Sequence, residues 1–186
     1  MNFGQKTFDL ARACKYVLSA AIAAAIFAGR AQEFRFESAG VGFGFSPSSA
    51  DHNFHEAEVF AGWSLPWAWD LGRDWRLKSG FNLFAGWVGD PGGDAAIAAF
   101  GPALRLEWQN FPLVFEGGLS PTLLSQHQFQ TKDLGSYFQF TSYAGLNWDV
   151  SAHFRVLYRF QHMSNAGLAS PNPGLNMHMF GMSYIF

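Results

Sequence analysis

A histidine and a serine near the end of the chain, His162 and Ser164, are the residue types of a general base and a nucleophile. Side chains two residues apart on a β-strand point from the same face, so the two would lie side by side on one face if this segment is a strand. That face also carries four apolar side chains, Phe154, Val156, Tyr158 and Phe160. In a membrane barrel the pair would look into lipid, and the expected chemistry is attack on an ester of a membrane lipid.

The first 31 residues are expected to be a cleavable signal peptide. Lys6, Arg12 and Lys15 form a basic region before an apolar core that runs from Tyr16 to Ala28. Gly29-Arg30-Ala31 then offers small residues at the cleavage positions. The apolar core is shorter than the roughly 20 residues that a transmembrane helix needs. The sequence therefore predicts a secretory signal for residues 1–31 and one domain for residues 32–186.

The composition of the expected mature chain excludes some classes of protein. Removing residues 1–31 takes away four of the 12 basic and one of the 14 acidic residues, which leaves a net charge of −5 with neutral histidines. This balance argues against a nucleic-acid partner, which needs a basic face. The single cysteine, Cys14, is removed as well, so no disulfide is expected. The 21 phenylalanines and seven tryptophans without long apolar runs are typical of a transmembrane β-barrel.

Apolar and polar residues alternate with period two in repeated segments, which predicts β-strands. The strand segments are Glu33 to Phe45, Ala57 to Trp69, Leu77 to Trp87, Ala96 to Trp108, Phe111 to Leu119, Phe138 to Trp148, Phe154 to Phe160, and a last run that includes Phe180 to Phe186. The expected fold is all-β, an eight-stranded antiparallel transmembrane β-barrel. A soluble β-sandwich with one buried face is the alternative, since it shares the alternation.

Three details favour the membrane barrel over the sandwich. The apolar faces end in tryptophan or tyrosine, as interface girdles do. The polar faces carry complementary charges that suit a narrow interior filled by side chains: Glu56, Glu58, Glu107 and Glu116 against Lys78, Arg105, Arg155 and Arg159. The aromatic last strand, ending at Phe186, resembles the signal that the barrel-assembly machinery of the outer membrane recognises.

The predicted connections divide by length into two sides of a membrane. Short ones are expected in the periplasm, at Asp70 to Asp74, Gln109-Asn110 and Asp149 to Ser151. The other four are mostly longer and are expected outside, at Ser46 to Phe54, Gly89 to Asp94, Pro121 to Gly135 and Asn165 to Gly174. Short periplasmic turns and longer extracellular loops are the pattern of bacterial outer-membrane barrels, so the outer membrane is the expected location.

The last strand adds two more polar residues on the outward face, Asn176 and His178. If residue 152 pairs with residue 186, His162 lies opposite Asn176, and Ser164 lies opposite Gly174. Polar groups on a lipid-facing surface are costly unless they are paired, which indicates a function for this cluster. His178 is the competitor for any role given to Asn176.

A serine esterase needs a base, an orienting group and donors for the oxyanion. The geometry gives Ser164 as the nucleophile and His162 as the general base, with Asn176 accepting a hydrogen bond from the other ring nitrogen. The candidate oxyanion or substrate-binding groups are Asn165, Asn172 and the backbone amides around Gly167 and Gly174. No metal is expected, and His52, His55 and His127 are interpreted as loop residues near lipid head groups.

The string His162-x-Ser164-Asn165-Ala166, followed by Pro171-Asn172-Pro173-Gly174, resembles the PagL family of outer-membrane lipid A deacylases. The resemblance implies an eight-stranded barrel with its active site on the lipid-facing surface near the extracellular side. It also implies hydrolysis of the ester at the 3-position of lipid A, with release of a hydroxy fatty acid and no metal or other cofactor. By the same resemblance Ser164 is the nucleophile, His162 the base and Asn172 an oxyanion contributor.

The chain departs from the family pattern at the third member of the triad. The pattern has a glutamate where this chain has Asn176. An asparagine can orient an imidazole but cannot stabilise an imidazolium with a full charge. Slower catalysis, or drift away from catalysis, is the expected consequence.

The leading hypothesis is an outer-membrane serine esterase that removes the 3-O-linked acyl chain of lipid A in lipopolysaccharide. One alternative is a non-catalytic barrel that serves adhesion or lipopolysaccharide binding, and another is an esterase that acts on phospholipid. The partners implied are lipopolysaccharide, outer-membrane lipid and the assembly machinery. The sequence leaves open whether two barrels pair as a homodimer.

Overall fold

A computed structural model describes residues 30–31, 33–47 and 53–186 of the chain. Eight antiparallel strands follow one another: β1 Arg35–Phe45, β2 His55–Gly72, β3 Trp75–Asp90, β4 Gly93–Trp108, β5 Leu113–Leu124, β6 Phe138–Ser151, β7 Phe154–Ser164 and β8 Leu175–Ile185. Each strand pairs with its neighbours in sequence, and β1 also pairs with β8, which closes the sheet into a barrel. The predicted fold is therefore confirmed.

The N-terminal region adds little to this architecture. Two residues, Arg30 and Ala31, pair with Ala68 and Trp67 of β2. The rest of the expected signal peptide lies outside the described residues, so its cleavage remains a prediction. In the described part of the chain no helix is long and apolar enough to cross a membrane.

Two connections at the outer end differ from the sequence expectation. Strand β5 runs through Pro121 to Leu124, although Pro121 was expected to begin the third outer loop. Strands β3 and β4 are joined by Pro91-Gly92 alone, and Gly89 pairs with Asp94 in the ladder. The Asp90 carboxylate accepts the N–H of Gly92 at 2.9 Å, so this tight turn is closed by a side chain. The glycine, aspartate and proline residues at these strand ends are typical of loops, so the sequence predicted loop where the structure has strand.

Inside the barrel, charged side chains fill the space in matched pairs. Arg105 bonds Glu116 at 2.7 Å and also contacts Glu37, while Arg159 bonds Glu58 at 2.8 Å. The predicted complementary charges are thus present, with Glu37 as an additional member. A cavity of about 30 Å³ remains beside Arg105 and Arg159, so side chains plug the lumen, as expected for eight strands.

At the outer end the barrel interior changes from charged to apolar. Leu134 and Phe54 of the outer connections close over inward-facing residues of the strands. The buried strand residues of this apolar cap are Val88, Ala95, Ile97, Leu124, Met163, Leu175, Met177 and Met179. The cap lies directly behind the outer ends of β7 and β8. Those strand ends therefore rest on a packed apolar core.

Candidate active site

The orientation of β7 decides whether the histidine and the serine face lipid or lumen. Its odd positions face the barrel interior, with Met163 only 1% and Gln161 only 3% exposed. Phe154 and Phe160, on the even positions, are each 40% exposed on the outer surface of the barrel. His162 is exposed and Ser164 is half-buried on this same outward face. The predicted outward orientation is confirmed.

The pairing of β7 with β8 places an asparagine beside the histidine. His162 lies directly opposite Asn176, as the register predicted. The Nδ1 atom of His162 is 2.8 Å from the Oδ1 atom of Asn176. Because an amide oxygen only accepts hydrogen bonds, Nδ1 carries the proton. In the neutral ring this tautomer leaves the lone pair on Nε2, which is the form of imidazole that a general base requires.

A glycine packs against the Cε1 atom of the imidazole ring. A Cβ atom at residue 174 would lie 2.7 Å from Cε1 and 3.4 Å from Nε2 of His162. Gly174 has a φ of +66°, a conformation that favours glycine. It directly precedes the first residue of β8, on the side of His162 where Ser164 ends β7. The ring therefore leans toward β8, and among the described residues no hydrogen bond joins His162 to Ser164.

A second serine flanks the histidine from the opposite side. Ser142 of β6 pairs with His162 across the sheet and points outward. Its hydroxyl group donates to the backbone carbonyl of His162 at 3.4 Å. The imidazole ring leans away from it toward Asn176 and Gly174. Ser142 is thus a near neighbour of the candidate base, on the strand opposite to the one that carries Asn176.

The loop that follows Ser164, called the site loop (residues 165–174), is organised around one buried asparagine. Asn165 is 0% exposed, and its Nδ2 donates to the carbonyls of Pro171 at 2.9 Å and Leu134 at 3.1 Å. Its Oδ1 accepts the N–H of Gly167 at 2.9 Å. Both amide hydrogens of the side chain are therefore engaged in holding the loop.

These bonds change the roles expected for two of the candidate oxyanion donors. The Asn165 side chain and the Gly167 N–H were both expected to face the substrate. The structure directs these donors at partners inside the protein, because a buried polar group must be satisfied internally. The arrangement favours a structural role for Asn165 and Gly167 over the predicted donor role.

Asn172 remains as a side chain with a donor available. It is exposed, and its Oδ1 accepts the backbone N–H of Asn165 at 3.0 Å. This bond brings the Asn172 amide group next to the residue that follows Ser164. Among the described residues, no partner is recorded for its Nδ2. An amide donor is thus held close to the serine at the rim of the barrel.

A second loop supports the site loop from the side. The long loop (residues 125–137) joins β5 to β6, and Leu134 anchors it in the apolar cap. A Cβ atom at Gly135 would overlap the carbonyl oxygen of Pro171, so the two loops touch through backbone. The backbone N–H of Gly135, followed by the bond from His127, holds the pKa of Asp133 below its ordinary value. An ionised Asp133 therefore braces the loop from within.

Three further histidines in the described ranges have partners that account for them. His178 forms a 2.7 Å hydrogen bond through Nδ1 with the Tyr158 hydroxyl group, so Asn176, and not His178, contacts the candidate base. His55 pairs with Asp94 at 3.2 Å, and His127 pairs with Asp133 at 2.9 Å. His52 lies outside the described residues. Within the described ranges, no group of three His, Cys, Asp or Glu side chains is arranged to hold a metal ion.

Sequence reasoning missed the contribution of the long loop. Lys132 donates from Nζ to the carbonyl oxygen of Gly174 at 2.8 Å, across 42 positions of sequence. Contacts between loops follow no hydrophobic period, so no pattern in the sequence indicated this one. The only hint is that Lys132 is the single lysine or arginine in the four outer connections.

Comparison with known proteins gives concordant results. The sequence model of the family described as "Lipid A 3-O-deacylase (PagL)" matches residues 57–185 of this chain. A relative from Bordetella bronchiseptica, named lipid A deacylase PagL, is 35% identical over 79 residues, which cover 42% of this chain and 44% of that protein. The match thus spans less than half of the relative's length.

A solved structure shares the fold. The crystal structure of the outer membrane enzyme PagL superposes with a TM-score of 0.67 at 20% sequence identity, covering 80% of this chain and 98% of that one. At this identity the likeness concerns the fold, an outer-membrane β-barrel. The family match over most of the barrel is independent of it. This chain belongs to the PagL family.

Proposed function

We propose that this protein is a lipid A 3-O-deacylase, a serine esterase that works on the lipid-facing surface of its own barrel. The observation that carries the proposal is the 2.8 Å bond between His162 and Asn176 on the same outward face as Ser164. A polar cluster of this kind in contact with lipid is expensive unless it serves a function. The family description names the reaction, and the site has the groups that this reaction requires.

The first half of the reaction forms an acyl-enzyme. Nε2 of His162 takes the hydroxyl proton of Ser164 as Oγ attacks the ester carbonyl carbon. The resulting imidazolium donates through Nδ1 to the Oδ1 of Asn176. When the tetrahedral intermediate collapses, His162 returns the proton to the departing sugar oxygen. Lipid A leaves with a free 3-hydroxyl group, and the acyl chain stays on Ser164.

The second half releases the fatty acid. A water molecule gives a proton to Nε2 of His162 and attacks the acyl-enzyme carbonyl. Collapse of the second intermediate breaks the bond to Ser164 and returns the proton to Oγ. The fatty acid and the free serine are the products. In each turnover His162 thus accepts a proton and returns it twice, both times at Nε2.

The oxyanion needs donors that are directed at it before the reaction begins. Asn172 is our candidate, because its Oδ1 is occupied by the backbone and its Nδ2 has a donor to offer. The N–H of Gly174 is the second candidate, since this residue is buried against the imidazole ring. Removing one such donor costs other hydrolases roughly a hundredfold to a thousandfold in rate.

The position of the site suits a substrate that stays in the membrane. The even row of β7 continues below the site as Phe160 and Tyr158, next to Phe180 of β8. An acyl chain lying on this aromatic surface would bring its ester to the level of Ser164 at the barrel rim. The head group would then lie under the site loop, on the extracellular side.

The decisive experiment is mass spectrometry of lipid A from a host that lacks such an enzyme. Expression of the wild-type chain is expected to remove one 3-O-linked acyl chain. Ser164→Ala is expected to give a folded, heat-modifiable barrel whose lipid A retains all its chains. Ser142→Ala is the matched control, since it removes a second outward serine that also adjoins His162. This control is expected to deacylate as the wild type does.

The other outcomes identify the rival functions. Lipid A of unchanged mass with the wild-type chain would support a non-catalytic barrel. Lysophospholipid appearing while lipid A stays intact would support a phospholipid esterase. Deacylation by Ser164→Ala would show that another residue is the nucleophile. The assembly machinery and a homodimer stay predictions, to be tested by depletion of the machinery and by cross-linking.

A further inference from the structure

The long loop contacts the site loop at several separate points. The carbonyl of Leu134 accepts a hydrogen bond from Asn165, and the Leu134 side chain is packed in the apolar cap with Met163 and Leu175. Gly135 meets Pro171 through backbone. The two loops therefore form one packed unit above the barrel. One side chain of the long loop, Lys132, reaches further toward the base than the others.

Lys132 holds the peptide that packs on the imidazole ring. Its Nζ donates to the carbonyl oxygen of Gly174 at 2.8 Å. Gly174 is the residue whose Cβ position would lie 2.7 Å from Cε1 of His162. The ladder between β7 and β8 ends at Met163 and Leu175, so strand pairing does not reach Gly174. The ammonium group of Lys132 supplies a bond to a carbonyl just beyond the ladder.

The chemistry of this hydrogen bond suits a role in holding the Gly174 peptide in place. Gly174 has a positive φ and no side chain, so packing alone does little to fix the plane of its peptide. A hydrogen bond from a charged donor is roughly twice as strong as a neutral one. The cation comes from a loop that is itself anchored in the apolar cap through Leu134. The position of Gly174 is therefore coupled to a rigid part of the molecule.

We propose that Lys132 is a positioning residue for the esterase reaction, because it fixes Gly174 against the imidazole of His162. This inference rests on the proposed function. With Lys132 in place, Gly174 stays packed against Cε1 of the ring and limits the orientations that the imidazole can adopt beside Asn176. Without it, the peptide swings outward and the ring gains a second orientation. The effect falls on the rate of the chemical step and not on substrate binding.

The test compares Lys132→Met and Lys132→Arg in detergent micelles that contain lipid A. Lys132→Met keeps the length of the side chain but removes the donor. It is expected to lower kcat about tenfold to about a hundredfold, because small misplacement of a reacting group has effects of this size. KM is expected to stay within about twofold of the wild type. Lys132→Arg keeps a charged donor and is expected to restore most of kcat.

Lys78→Met is the matched control. Lys78 is the other lysine of the barrel domain and pairs with Glu107 at 2.6 Å near the opposite end. The same chemical change there removes an ion pair without touching either loop, so kcat is expected to match the wild type. Should Lys132→Met fail to fold, Lys132→Ala replaces it as the variant without a donor. Lys132→Gln, which keeps a neutral donor, is then expected to give a kcat between those of the wild type and Lys132→Ala.

Three results would overturn the positioning role. The first is an unchanged kcat for Lys132→Met. The second is a raised KM with unchanged kcat, seen with phosphorylated but not with dephosphorylated lipid A, since Lys132 would then bind the head group. The third is a loss of kcat in Lys132→Arg as large as that in Lys132→Met. A wild-type barrel that releases no fatty acid would instead refute the proposed function itself.

Discussion

The contact between Gly174 and His162 gives a sharp prediction for Gly174→Ala. A methyl group at residue 174 would lie 2.7 Å from Cε1 of the ring. Non-bonded carbon atoms prefer a separation of about 3.5–4.0 Å, so one of the two groups must move by about 1 Å. Because Gly174 is held by Lys132 and the site loop, we expect the ring to move. A 1 Å misplacement costs a reaction roughly a hundredfold, or about 2.7 kcal/mol of transition-state stabilisation.

A second glycine of the same loop allows the effect of this contact on the rate to be separated from the effect of backbone strain. Gly167 has a φ of +77° against +66° for Gly174, but a Cβ atom there would meet nothing within 4 Å. Either alanine variant therefore adopts an unfavourable left-handed conformation, at a cost of roughly 1–2 kcal/mol. Only Gly174→Ala adds the clash with His162. Gly167→Ala keeps its N–H and is expected to lose little activity.

The assay is the rate of fatty acid release from lipid A by the two purified barrels, measured by mass spectrometry. Heat-modifiability and the midpoint of unfolding in urea show whether each variant is folded and how much stability it has lost. Equal losses of stability with a roughly hundredfold difference in rate would support the reasoning. Equal rates for Gly174→Ala and Gly167→Ala would refute it, because the glycine would then not control the ring.

Two further predictions concern the asparagines of the site. Asn176→Glu is expected to raise the deacylation rate roughly tenfold, because a carboxylate stabilises the imidazolium with a full charge at hydrogen-bond distance; an unchanged rate would mean that proton transfer to His162 is not limiting. Asn165→Ala is expected to lower the stability of the site loop by roughly 1–3 kcal/mol, because it leaves buried carbonyls without donors. Faster proteolytic cleavage within residues 165–174 of an otherwise intact barrel would be the sign, and resistance equal to that of the wild type would contradict it.

Most of the barrel could be predicted from the sequence because its physical origin is local. Side chains alternate across a strand with period two, so the order of Phe154, Arg155 and Val156 along the chain indicates which face each of them occupies. The even rows of β7 and β8 followed from this alternation, and so did the complementary charges of Arg105 and Glu116. Strand ends depend on pairing with other strands and are not local in this way. Pro121 and Gly89 have the residue types of turns, yet pairing with a neighbouring strand keeps both in the sheet.

The outward pair of His162 and Asn176 was also within reach of the sequence, because one register fixes every partner along two strands. The roles of the site loop were not. Asn165 and Asn172 are the same residue type seven positions apart in one loop, and the sequence treats them alike. Only the packed structure turns Asn165 inward, where its side-chain amide donates a hydrogen bond to the carbonyl of Leu134. The side-chain amide of Asn172 stays at the surface.

The sequence by itself determined the number of strands, their faces and the placement of His162 and Ser164 together on the outward face. Those features depend on residues that are neighbours along a strand or across one ladder. The tertiary structure alone decided how the long loop reaches the site, with Lys132 on the carbonyl of Gly174. That contact joins residues 42 positions apart through two irregular segments, and the loop that carries Lys132 is anchored by Leu134 in a cap built from several strands.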